Sequence, residues 1–129
     1  ESLMDRGGSL TTLSFFGAER VVDHYNVMGP VKAALESSVR YLAHELGGSN
    51  IRVNAISAGA VQTRAASGIK HFDDLLNESM RMAPLRRTVD ACEVGRAALL
   101  LASDYASGIT GEVLHVDAGS HVSGMIFPE

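Results

Sequence analysis

Six residues separate Tyr25 from Lys32 at the head of a long amphipathic stretch. A phenol beside an ammonium is a chemically useful pair. The cation favours the phenolate, lowers a pKa that is about 10 in isolation, and strengthens the phenol as a hydrogen-bond donor to an oxyanion developing on a substrate. On a helix, seven steps of about 100° bring the two side chains to one face, about 10 Å apart along the axis, where a lysine can reach back toward the phenol. Spacing alone is a weak signal. With three tyrosines and two lysines, a Tyr-x6-Lys arises by chance in about 5% of such chains. A surface lysine and a half-buried tyrosine is the ordinary alternative.

Other reactive side chains carry less. His24, His44, His71, His115 and His121 show no metal-ligand spacing, so no metal is expected. Cys92, early in a helix with no histidine near it in sequence, reads as a small buried filler rather than a nucleophile. Arg86-Arg87 reads as a solvated or interface pair, and Met80 and Met82 as adaptable side chains facing a pocket or lid.

The elements that would position Tyr25 and Lys32 follow from periodicity. Ser9 to Ser14 is a short strand between turn glycines, followed by a loop from Phe15 to about His24. Val27, Val31, Ala34, Leu35, Val39, Leu42 and Leu46 recur every three or four positions, which predicts a helix from Tyr25 or Asn26 to Leu46 with Pro30 in its first turn. Gly47-Gly48 is expected to end it. Ile51 to Ile56 reads as a strand buried on both faces, Ser57 to Arg64 as a loop, and His71 to Met82 as a weaker helix. Asp90 and Glu93 form a capping-box pattern opening a helix through Ser103, with Val94, Ala97, Ala98 and Leu101 inward. After the turn at Thr110-Gly111, Glu112 to Val116 is a last strand.

Strands alternating with helices imply an open, parallel α/β sheet whose ligands lie beyond the strands' carboxyl ends. Those ends are Ser14-Phe15-Phe16, Ser57 to Val61 and Asp117-Ala118-Gly119. Three strands leave an unpaired edge, so the chain is expected to be part of a larger sheet. The 46% apolar content is that of a globular core. A net charge of −4, with nine arginines and two lysines scattered, gives no electrostatic footprint for nucleic acid or a membrane surface. No apolar run approaches a transmembrane helix and no signal peptide is legible. A single cysteine fits a reducing, cytoplasmic setting.

The run Tyr25-Asn26-Val27-Met28-Gly29-Pro30-Val31-Lys32-Ala33-Ala34-Leu35-Glu36 resembles the active-site helix of the enoyl-acyl-carrier-protein reductases, a divergent branch of the short-chain dehydrogenase/reductase superfamily. LTTLSFFGAER before it, then IRVNAISAGAVQT, AASGIKHF, APLRRT and SGITGEVLHVDAG, extend the resemblance over nearly the whole chain. Ordinary members of the superfamily carry Tyr-x3-Lys, whereas Gly29 stands four residues after Tyr25 here.

The resemblance implies the carboxyl-terminal half of a Rossmann-type doubly wound sheet, with about three strands, flanking helices and a substrate lid at about 60–83. It implies reduction of the trans-2 double bond of an enoyl-acyl-carrier-protein or enoyl-CoA thioester by NADH, or by NADPH in some members, in the last step of a fatty-acid elongation cycle. It also implies a homotetramer built through the long helix and last strand. By position, Tyr25 would hydrogen-bond the thioester carbonyl and stabilise the enolate, and Lys32 would hold the nicotinamide ribose. Val61 would meet the carboxamide through its backbone, and Thr63 would reach the pyrophosphate, with Gln62, Arg64 and Ala65 beside it. Phe15, Tyr25, Met28, Ala65, Ala66, Ile69 and Phe72 would line the acyl site.

Two positions depart from the family's pattern: Phe15 stands where bacterial members usually carry a second tyrosine, and Ala60 where the loop usually has proline. No Gly-x-Gly-x-x-Gly occurs, so the chain alone is expected to hold only the nicotinamide end of a dinucleotide. A 3-oxoacyl-thioester reductase of the same superfamily, or a non-catalytic oligomerisation fragment, are the alternatives.

Overall fold

The computed structural model describes residues 4–62 and 72–124. Three strands, β1 (Gly8–Phe15), β2 (Ile51–Ala58) and β3 (Val113–Val116), form one parallel sheet in the order β1-β2-β3. Gly8 pairs with Ile51 and Phe15 with Ala58; Ala55 pairs with Val113 and Ala58 with Val116. The helices are α1 (Met28–Leu46), α2 (Phe72–Met82) and α3 (Ala91–Ala102). Parallel neighbours need a crossover, and α1 supplies the first of them, between β1 and β2.

β2 carries the core because it is central and covered on both faces. On one face Ile51, Val53 and Ala55 meet Val39 and Ala43 of α1. On the other, Ile56 meets Leu101, with Val94, Ala97 and Ala98 packed around it, as the spacing along α3 predicted. A third cluster, Ala83, Val89 and Ala118 with Val61 against it, lies under the strand ends. Buried Asn54 donates to the Ile109 carbonyl and accepts from the Glu112 amide, which fixes the approach to β3 without leaving a polar group unpaired.

The predicted capping box is formed. Asp90 accepts from the Glu93 amide at 2.8 Å, and the Glu93 carboxylate accepts from the Asp90 amide at 3.0 Å. The same carboxylate takes both guanidinium nitrogens of Arg87 at 2.8 and 2.7 Å, so Arg87 is an ion-pair partner and not a merely solvated residue.

Three expectations need correction. α1 begins at Met28, not at Tyr25 or Asn26, because His24 (φ 63°) and Asn26 (φ 51°) take the left-handed backbone conformation and interrupt the helical path. Gly47-Gly48 ends α1 as expected, with Gly47 as the C-cap after Leu46; a short 3-10 turn follows, and Asn50 (φ 56°) takes the left-handed conformation before β2. β2 continues through Ser57 and Ala58, which pair with His115 and Val116. Cys92 is exposed, since it lies on the outer side of α3's first turn.

Candidate active site

A cavity of about 620 Å³ opens at the carboxyl ends of β1 and β2. Its walls are Phe15 and Tyr25, the Ala58-Gly59-Ala60-Val61 segment, Phe72 and Leu75 of α2, and Val94, Gly95 and Ala98 of α3. Small residues after β2 allow the chain to turn tightly against β3: a Cβ added at Gly59 would lie 2.9 Å from the Asp117 Cα. Asp117 secures the far side. Its carboxylate accepts from the Gly119 and His121 amides, the Ser120 hydroxyl and the His121 ring. Burial alone would push this acid up, but those donors hold it below its usual range.

Tyr25 sits in the turn that precedes α1. Its amide donates to the Val22 carbonyl, and its own carbonyl accepts from the Met28 amide, both at 3.1 Å. Its ring is tilted 60° against Phe15, with centroids 5.0 Å apart, a favourable aromatic arrangement. Gly17 makes that packing feasible, since a Cβ there would stand 2.5 Å from the tyrosine ring. Gly29 packs against Gly17 itself, where an added Cβ would meet the Gly17 carbonyl oxygen at 3.0 Å. A side chain at position 29 would need the Gly17 carbonyl to give way by a few tenths of an ångström.

Lys32 lies on α1, and its ammonium donates to the Leu13 carbonyl at 2.8 Å. The sequence expectation that it lowers the Tyr25 pKa does not hold. Tyr25 is raised above 10 by burial, because it stands off the helix and the lysine's charge is directed at Leu13.

The structure therefore brings Phe15, Tyr25, Val61 and Phe72 around one cavity, with Lys32 attached through Leu13, itself part of the wall. Met28, Gln62 and Met80 are exposed and outside this lining, and half-buried Met82 is outside it too; the cavity takes Phe72 and Leu75 from α2 instead. The expectations for Thr63, Arg64, Ala65, Ala66 and Ile69 fall outside the described residues. Leu75 and the α3 positions Gly95 and Ala98 were not singled out as site residues from sequence, since apolar helix positions signal core and pocket alike.

Among the described residues, no group of three potential ligands gathers for a metal. His115 and His121 stack at 4.0 Å, and their polar partners are Glu19 and Asp117.

The sequence model described as enoyl-(acyl carrier protein) reductase matches residues 1–121. A Rhizobium meliloti (strain 1021) protein described as enoyl-[acyl-carrier-protein] reductase [NADH] 1 is 58% identical over 97% of this chain and 46% of its own length. An Escherichia coli (strain K12) protein described as enoyl-[acyl-carrier-protein] reductase [NADH] FabI is 50% identical over 96% of this chain and 47% of its own length. The chain spans about half the length of the curated relatives it matches. Among solved structures, the Bacillus cereus enoyl-acyl carrier protein reductase with NADP+ and indole naphthyridinone superposes with a TM-score of 0.93 at 52% identity, over 96% of this chain and 48% of the other. The Anaplasma phagocytophilum reductase in complex with NAD superposes at 0.88 with 54% identity, over 96% and 45%.

Proposed function

We propose, starting from the fact that this chain belongs to the enoyl-(acyl carrier protein) reductase family, that its protein reduces the trans-2 double bond of an enoyl thioester with NADH. The observation that carries this reading is the joint placement of Tyr25 and Phe15 on an apolar cavity at the strand ends, with Lys32 tied to the same strand end.

The site fits the nicotinamide end of the cofactor. Gly59 and Ala60 leave room beside the strand end, and Val61 continues the wall. Val61 would meet the carboxamide through its backbone, and Lys32 would hold the ribose hydroxyls. The chemistry supplied by bound NADH is hydride donation to the β-carbon. As the β-carbon accepts that electron pair, the π electrons move onto the thioester oxygen, Tyr25 donates its hydroxyl hydrogen bond to the enolate being formed, and a proton from solvent then adds at the α-carbon to give the saturated thioester. A phenol of ordinary pKa about 10 is protonated near neutrality and able to donate, and burial acts in the same direction. Phe15, Phe72 and Leu75 exclude water and receive the acyl chain.

Acyl-carrier-protein or coenzyme A thioesters are the proposed substrates, and a homotetramer the proposed assembly. Val31, Tyr41 and Leu42 leave apolar surface exposed on α1, suited to pairing with another subunit's helix. Among the described residues, no helix is long and apolar enough to cross a membrane.

A subunit of the relatives' full length carrying this sequence is expected to oxidise NADH with a crotonyl thioester and not with an acetoacetyl thioester. The opposite preference would move the assignment to the 3-oxoacyl reductases.

A further inference from the structure

Glu36 is a carboxylate with 7% of its surface exposed, and the chemistry described above does not use it. It lies on the inner stripe of α1 with Lys32, Val39 and Ala43, between the candidate site and the core. Burying a carboxylate is costly unless hydrogen bonds compensate, and a leucine would fill such a helix position without that cost. Compensation comes from β1: the hydroxyl of Ser14, itself 4% exposed, donates to Glu36 Oε1 at 2.5 Å.

Ser14 immediately follows Leu13, the residue whose carbonyl holds Lys32. One helix face thus grips two consecutive residues of β1, by the Lys32 ammonium on a backbone oxygen and by the Glu36 carboxylate on a side-chain hydroxyl. Phe15 comes next in the strand and carries the Tyr25 ring.

We propose that Glu36 is a positioning residue of the site: acting through Ser14, it sets the depth of α1 against the end of β1, and with it the places of Lys32 and the Phe15–Tyr25 pair. It does not touch substrate or cofactor. What matters in this role is an oxygen acceptor at the right distance, so glutamine can replace it and alanine cannot. The effect on turnover rests on the reductase reading, whereas the grip on β1 does not.

In the full-length subunit, Ser14→Ala and Glu36→Ala are each expected to lower kcat with NADH and crotonyl thioester about tenfold, and the double variant to lose no more than either, because all three remove one hydrogen bond. Glu36→Gln is expected to remain within about twofold of the parent. Acetylation of Lys32 under limiting reagent, read by peptide mass, is expected to quicken in both alanine variants and not in Glu36→Gln. Should Glu36→Ala fail to fold, Ser14→Ala and Glu36→Gln, each altering one heavy atom, carry the comparison.

Additive losses, a Glu36→Gln variant as impaired as the alanine, or Lys32 labelling unchanged in Ser14→Ala would overturn the proposal. A parent that does not turn over the enoyl thioester rejects the reductase reading instead, and the labelling pattern then decides the grip by itself.

Discussion

At Tyr25 burial pushes the phenol's titration up from its ordinary value. Two outcomes follow in the full-length enzyme. Tyr25→Phe should lower kcat about 10²-fold with little change in NADH affinity, because the lost hydrogen bond strengthens only as charge develops on the substrate oxygen. Any alkaline fall in kcat due to Tyr25 should lie above pH 10, its direction set by the raised pKa. A limb near neutrality that Tyr25→Phe abolishes would contradict this. Lys32→Ala should act differently, weakening NADH binding about tenfold in a titration as well as slowing turnover, since a ribose contact is made in the ground state. Both residues were legible in the sequence from type and spacing, helped by family resemblance. Their geometric relation was not. Helical arithmetic assumed a regular backbone from Tyr25 onward, and two left-handed residues, His24 and Asn26, are local features that apolar periodicity does not report. Glu36 escaped notice for a related reason: a glutamate inside an amphipathic run is indistinguishable from a solvated one until its partner strand is known.

Among the elements, α3 was the most readable because its cap is written in four consecutive residues, Asp90 to Glu93, and its inner face repeats at helical spacing. Asp90→Ala should destabilise the chain by about 1 kcal/mol in urea unfolding, the usual cost of an unsatisfied helix start. Glu93 adds a pH signature. Its hydrogen bonds from Arg87 and the Asp90 amide depress its pKa from 4.5 to about 2. A depressed acid stabilises the fold above its unfolded pKa and loses that contribution as pH falls through the folded one. The stability difference between the parent and Glu93→Gln should therefore be full above pH 4.5 and shrink toward pH 2. A difference that stays constant across that window would separate the ion pair from the cap. α1 shows the limit of such reading: its buried stripe and its end at Gly47 were evident, while its entry depended on His24 and Asn26, residues whose left-handed backbone apolar periodicity does not announce.

For the molecule as a whole, parallel strands with helices on both faces were legible from alternation alone, and the structural relatives agree with them. The 129-residue chain by itself is expected to show no micromolar affinity for NADH in isothermal titration. Lys32 and Val61 offer contacts at one end of a long flexible ligand, and no glycine-rich strand–helix turn is present in the sequence for its phosphates. Micromolar binding would show that the cofactor is held elsewhere. One property of the sheet reaches beyond catalysis. Strand order in space equals strand order in the chain, so each pairing joins the newest strand to the one made just before it. Among the described residues, no later strand has to insert between strands already paired. Acquisition of this architecture can thus proceed by stepwise addition as the polypeptide leaves the ribosome, each crossover closing a loop onto a template already formed, which limits the entropy lost before contacts repay it.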